Sequence, residues 1–319
     1  MRPEVEAALN GIWHVGGMRF SIWPSAGQPF DDVLEVARHA EQTGWDGVYV
    51  ADHFMVSAGA GAPAETPTLE CATLIAAIGA LVGRVRVGTL VYGNTYRHPA
   101  VLANMAATAD HVCGGRFILG VGAGWQENEH EQYGIVLPPV RERLDRFEEA
   151  LQVIRGLIEQ PQTTFAGRYY QLTDAICEPK PVQRPLPILI GGGGERRMLG
   201  IVARYADIWN TWGGPDVIAQ KSAVLDRFCD QGGRNPATID RSAQALVLIG
   251  ADSADLQARA ARSPLPLIGG TPEQLVDTLA RYAEAGLDEF IVPDRTLGTG
   301  SQRRDTMDML IEQIATPFR

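Results

Sequence analysis

Three short stretches carry residue types that can do chemistry. Asp52-His53-Phe54 follows Gly47–Ala51, an apolar run that reads as a short buried strand. A histidine at such a strand end can take or give a proton near neutral pH; the alternative is a histidine that merely caps a loop. The second stretch, Phe117–Trp125 (FILGVGAGW), runs a strand into Gly120, Gly122 and Gly124. Small residues there let a flat or phosphorylated ligand approach the backbone. Trp125 and Gln126 spoil a full GxGxxG, and the polar run Gln126–Gln132 does not promise the helix a dinucleotide site needs. A tight turn is the alternative. The third stretch, Ile188–Arg197 (ILIGGGGERR), puts Gly191, Gly192, Gly193 and Gly194 between a buried strand and a predicted helix, Glu195–Tyr205. Arg196 and Arg197 then fall in the first turn of that helix, where the dipole favours anions. A bound phosphate resolves the conflict through backbone N–H groups, the dipole and an arginine. Solvated arginines on a flexible turn account for the pattern less well.

Other chemistries lack their spacing. The six histidines never fall in HxxxH or HExxH order, so a zinc hydrolase is unsupported. Neither a GxSxG elbow nor a GxxxxGKS/T loop occurs. Cys71, Cys113, Cys177 and Cys229 are too far apart for CxxC, which argues against a metal site or disulfide framework and for a reducing cytoplasm. A net charge of −10 argues against a broad nucleic-acid surface. No run approaches the roughly 18 apolar residues of a membrane span. The expected partner is therefore a small molecule, not a nucleic acid or a membrane.

The elements that must position these stretches alternate along 319 residues, 45% of them apolar. Strands read at Arg19–Trp23, Gly47–Ala51, Val85–Val91, Phe117–Val121, Ile188–Ile190, Ile208–Asn210, Ala243–Ile249 and Glu289–Val292. Helices read at Phe30–Thr43, Leu69–Leu81, Ala100–His111, Glu142–Ile158, Glu195–Tyr205 and Val217–Cys229. Val33, Val36, Ala37 and Ala40 form the apolar stripe of the first helix. Thr271, Pro272 and Gln274 spell a capping box opening a last helix. Thr163–Glu178 reads as a polar-aromatic excursion, a hairpin around Gly167. Residues 40–52 and 283–294 echo each other: a helix end, a glycine stop, an aspartate and a buried strand. Apolar strands joined by helices mean a parallel sheet covered on both faces. Eight of them in a chain this long fit an α/β chain closed as a (β/α)8 TIM barrel with insertion segments, ahead of an open doubly wound sheet. Chemistry then belongs where strands end and helices begin. Residues 1–17 carry Glu4 and Glu6 without an apolar core, so they read as an N-terminal tail and not a signal peptide, with residues 18–319 one barrel domain.

The order of these motifs resembles the luciferase-like monooxygenase superfamily, and within it the coenzyme F420-dependent oxidoreductases, from about Met18 to Ile314. The resemblance is carried by GWDGVYVADHF (44–54), RVRVGTLVYGNTYRHPAVLANMAATAD (84–110), GGRFILGVGAGWQENEHEQYGI (114–135), GRYYQL with PKPVQRPLPILIGGGGERR (167–197), and VARYADIWN (202–210). FMN-dependent relatives share most of these. The resemblance implies a tricyclic flavin or deazaflavin in the C-terminal mouth of the barrel. It implies Asp52 and His53 at the ring and substrate end, and Leu90-Val91 behind the ring, joined by a non-proline cis peptide. Ala123, Gly124 and Asn128 would touch the cofactor. Gly191–Gly194, Glu195 and Arg196 would hold its phosphate. In the sugar-phosphate dehydrogenases of the family a glutamate follows the glycine matching Gly124. Here Trp125 stands there, so sugar-phosphate oxidation is not expected, and Trp125 is expected to wall an apolar substrate pocket. Glu127 or Glu129 would replace the missing acid only if the loop folds back.

These residues point to an F420-dependent oxidoreductase that moves a hydride between the deazaflavin and a small organic substrate, with His53 exchanging the proton. All basic residues except Lys180 and Lys221 are arginines, a GC-rich bias that favours F420 and an actinobacterial source. A homodimer and a separate cofactor-reducing enzyme are the expected partners. The alternatives are an FMN-dependent monooxygenase using reduced flavin and oxygen, and a flavin-binding protein without catalysis.

Overall fold

A computed structural model describes residues 17–57, 63, 65–250 and 253–319. The expected tail therefore lies, save Gly17, outside the described residues. Eight parallel strands close on themselves: β1 (Arg19–Trp23), β2 (Gly47–Val50), β3 (Arg86–Thr89), β4 (Phe117–Gly122), β5 (Ile188–Gly191), β6 (Ile208–Trp212), β7 (Asp240–Gln244) and β8 (Glu289–Pro293). The ring runs β3-β2-β1-β8-β7-β6-β5-β4, and the β3–β4 pairing seals it. This is the (β/α)8 barrel expected. The two echoing segments supply β2 and β8, the two neighbours of β1.

Helices α1 (Phe30–Gln42), α2 (Cys71–Leu81), α3 (Pro99–Val112), α4 (Glu127–Tyr133), α5 (Val140–Glu159), α6 (Met198–Tyr205), α7 (Pro215–Gly232), α8 (Ser253–Ala260), α9 (Pro272–Glu284) and α10 (Gly300–Met309) lie between and after the strands. The longer helices turn apolar faces inward; Val33, Val36, Ala37 and Ala40 of α1 are all buried. The capping box at Thr271 and Gln274 is present on α9. The expected hairpin is Thr163–Ala166 against Gln171–Ala175, with Glu149 of α5 accepting the Arg168, Tyr169 and Tyr170 N–H groups of its turn. Among the described residues no helix is long and apolar enough to cross a membrane.

Three expected elements differ. The helix after the glycines begins at Met198, not Glu195, because Glu195–Arg197 continue the turn; Arg196 and Arg197 therefore precede the helix. The polar run 126–132 does form a helix, α4, over Glu127–Tyr133. The run Ala243–Ile249 is two strands, broken at Ala245: β7 starts earlier, at Asp240, and Leu246–Ile249 pairs instead with Leu267–Gly270 outside the ring. The early part of β7 is polar because its side chains satisfy groups inside the barrel. Asp240 meets Arg19 at 2.5 Å, and Ser242 Oγ accepts from Asn210 Nδ2 at 3.0 Å.

Inside the ring, Tyr49, Leu90, Ile118, Leu189, Ile208 and Ile291 form an apolar plug, with Trp23 and Val91 packed against it. Gly88 makes room for the Tyr49 ring, since a Cβ there would stand 2.5 Å from it. At the N-terminal end Glu289 is fully buried. It accepts from Ser21 Oγ at 2.6 Å, Arg86 Nη2 at 2.8 Å and Tyr49 OH at 3.1 Å. Burial pushes its carboxyl up, but Arg86, Arg19 and the two hydroxyls together outweigh burial and hold it below the ordinary carboxylate range.

Candidate active site at the barrel mouth

The C-terminal strand ends bring most of the expected residues together. Asp52, just past β2, is buried. It takes a two-pronged contact from Arg97, 2.6 and 2.9 Å, and accepts the Gly93 N–H at 3.0 Å. Burial raises its carboxyl above the ordinary value, and Arg97 and the Gly93 N–H pull it back. Arg97 also meets Glu70, which caps α2, at 2.9 Å. Asp52 is thus committed to fixing the loops after β2 and β3.

His53 has a different setting. Its Nδ1 lies 2.8 Å from Glu129 Oε1, its side chain is 29% exposed, and that of Glu129 is fully buried. Glu129 also accepts the Phe54 N–H at 2.8 Å and the Tyr96 hydroxyl. Burial works against the Glu129 charge, but His53, Tyr96 and the Phe54 N–H outweigh it and set the carboxyl below its ordinary value. An ionised carboxylate only accepts, so Nδ1 carries the hydrogen. Nε2 makes no hydrogen bond among the described residues.

The loop after β4 does fold back, and it brings Glu129; Glu127 stays exposed. Gln126 and Asn128 fasten it, donating to Met55 O and Val56 O at 2.9 Å each. His130 lies 2.8 Å from Thr95 Oγ1 and 2.6 Å from Gln126 O. Asn128 therefore spends its amide on the loop after β2. Gly124 takes φ +85, and a Cβ there would fall 2.5 Å from Thr95 Oγ1. Its carbonyl accepts from Arg143 at 2.6 Å. Ala123, beside it, is half-buried. Trp125 is 59% exposed and stands edge-on to His53, ring centres 5.4 Å apart, so it flanks the histidine at the surface and does not wall an enclosed pocket.

The Leu90-Val91 peptide is cis, as the resemblance implies. Val91 lies against bare backbone: a Cβ on Gly122 or Gly191 would stand 2.8 or 3.0 Å from it. Beyond Gly191 the Gly192 N–H bonds Asn210 O at 2.9 Å, while the Gly193 and Gly194 N–H groups donate to nothing among the described residues. A Cβ on Gly193 would meet Thr211 Oγ1 at 2.8 Å. A cation from outside the turn also reaches it: Lys221 of α7, whose Nζ donates to Gly193 O at 2.6 Å and meets Glu195 at 3.2 Å. Arg197 turns away to Asp145 at 2.7 Å, and Arg196 is exposed without a hydrogen-bonded partner among the described residues.

Sequence reasoning missed Arg97, Tyr96 and Lys221. Lys221 had one signal, being one of two lysines in an arginine-rich chain. The other, Lys180, is spent on Leu157 O and Cys177 O. All four cysteines are free and buried, and among the described residues no His/Cys/Asp/Glu group could hold a metal.

A closed parallel barrel with its polar machinery at the C-terminal mouth defines the class. The chain belongs to the luciferase-like monooxygenase family, whose sequence profile it matches over residues 15–310. It is 37% identical over 176 residues to an F420-dependent glucose-6-phosphate dehydrogenase of Amycolatopsis mediterranei, covering 55% of this chain and 50% of that one. The chain thus matches about half the length of that curated relative. An F420-dependent secondary alcohol dehydrogenase in complex with an F420-acetone adduct superposes with TM-score 0.79 at 21% identity, over 93% of this chain and 98% of the other. An EDTA monooxygenase of Chelativorans superposes with TM-score 0.78 at 15% identity, over 95% and 93%. The two structural likenesses are of fold.

Proposed function

We propose that the chain is an F420-dependent oxidoreductase acting on a small organic substrate. The observation that carries the reading is the His53–Glu129 pair, a half-exposed imidazole held at 2.8 Å by a fully buried carboxylate at the mouth. Glu129 fixes the tautomer and orientation of His53, whose Nε2 is left to take or return the substrate proton. The residues present fit a phosphate-bearing deazaflavin. The unpaired Gly193 and Gly194 N–H groups and Lys221 suit an anion. The bare backbone at Gly122 and Gly191, with Val91 against both, suits a flat ring. When bound, F420 supplies the hydride chemistry, and the chain supplies binding, orientation and the proton. A separate enzyme that reduces the cofactor belongs to the same proposal. Trp125 beside His53 does not favour a sugar phosphate.

The FMN-dependent monooxygenase reading has equal support from fold, so the cofactor decides. Side-by-side titration with F420 and FMN at matched salt should give tighter F420 binding. Lys221→Met should weaken F420 by about 1.5–3 kcal/mol, the range of a hydrogen bond to a charged group. Equal or tighter FMN binding by the unaltered protein would move the assignment to the monooxygenase.

A further inference from the structure

On β7, Asp240 and Ser242 point into the barrel, to Arg19 and Asn210, while Arg241 between them points out to Asp226 of α7 at 2.5 Å. The two-residue period sends Gln244, the last residue of β7, inward at the mouth. Gln244 is 3% exposed, and its Oε1 has no hydrogen-bond partner among the described residues. Leaving a buried acceptor unpaired is costly, and a donor brought to it recovers that cost. Its register partner on β6 is Trp212, whose ring lies 5.7 Å from that of Trp23 at the end of β1. Both indoles are only partly buried. Another buried oxygen without a partner among the described residues, the Thr296 hydroxyl, lies in the turn after β8, next in the ring.

We propose that Gln244, Trp23 and Trp212 form the substrate subsite of the reaction inferred above, a proposal that rests on that reading. In the closed ring β7 lies four strands from β3 in either direction, so Gln244 faces the Leu90-Val91 bulge across the mouth. The proposed cofactor contacts lie on the ends of β2 to β5 and, through Lys221, on α7, which leaves the ends of β6, β7, β8 and β1 for the second reactant. Residues 23–25, 212–214 and 244–246, at the ends of β1, β6 and β7, carry no charged side chain, while after β8 Asp294 is buried and paired with Arg303 at 3.0 Å and Arg295 is exposed. The matching substrate is an uncharged molecule with a flat apolar body for the indoles and one O–H or N–H that donates to Gln244 Oε1.

Phenol and anisole share a ring and differ in the donor, which makes them the probes. Ligand-detected NMR titration of the full chain, with and without F420, should give phenol about a tenfold advantage over anisole. Gln244→Leu should abolish that advantage, and Gln244→Glu, which keeps an acceptor, should retain it. Both variants should bind F420 within about twofold of the unaltered protein. An unchanged phenol-to-anisole ratio in Gln244→Leu, or no binding of either probe, overturns the subsite. F420 binding weakened as much as phenol binding overturns it too, by assigning Gln244 to the cofactor. If F420 does not bind at all, the functional reading falls, while the probe ratio without F420 still judges the subsite.

Discussion

Glu289 at the N-terminal end of the barrel and Glu129 at the mouth are both fully buried, both hydrogen-bonded three times, and both held below the ordinary carboxylate range. Their partners differ. Glu289 neutralises Arg86, which is mostly buried, and its remaining bonds go to the buried Ser21 and Tyr49. Glu129 holds His53, which can change its own charge and reaches solvent. The same buried acid therefore serves as a structural tie where its partner's charge is permanent, and as a handle on a proton carrier where it is not.

That contrast can be broken most sharply at His53. His53→Ala should lower kcat by about 10²–10⁴-fold, as loss of a general acid or base does, with much less effect on cofactor affinity. Steady-state kinetics beside cofactor titration checks this. Turnover equal to the unaltered protein, with chemistry rate-limiting, would make the mouth pair as structural as the other end. Glu289→Leu should instead cost stability, about 3–5 kcal/mol in denaturant unfolding, because Arg86 is left buried beside an apolar side chain. Turnover per folded molecule should survive. The smallest effect is on acid sensitivity. Both glutamates bind protons more weakly folded than unfolded, so each stabilises the fold above its unfolded value, near 4.5, and that contribution fades as pH falls through the lower folded value. Stability should drop with acidification below about pH 4.5, and the drop should be shallower in Glu289→Leu. Equal slopes in the two proteins would deny Glu289 its part.

The eight barrel strands were legible because most of them are built around a short apolar run bounded by turns. β7 was read three residues late, because Asp240, Arg241 and Ser242 look like loop until their partners inside and outside the barrel are known. That slip carried the apparent strand end to Ile249 and hid Gln244 at the mouth. The glycine run was read as a phosphate cradle opening a helix at Glu195, but the turn runs on through Arg197, and Lys221, from a later helix, reaches the Gly193 carbonyl where local sequence gives no sign of it. Glu129 was legible only as a condition on the loop. Its fold-back depends on Gln126 and Asn128 reaching carbonyls some seventy residues earlier, and local spacing carries no trace of such bonds.

The three donors gathered by Glu129 come from two chain segments, His53 and Phe54 after β2 and Tyr96 after β3, while Glu129 itself follows β4. One oxygen pair therefore ties together three consecutive loops. Such a knot is released all at once: a proton on Glu129 weakens its hold on the Phe54 amide, the Tyr96 hydroxyl and the imidazole together. Amide protection at Phe54 and orientation of the imidazole therefore rest on the same carboxylate, and Glu129→Ala should quicken amide exchange at Phe54.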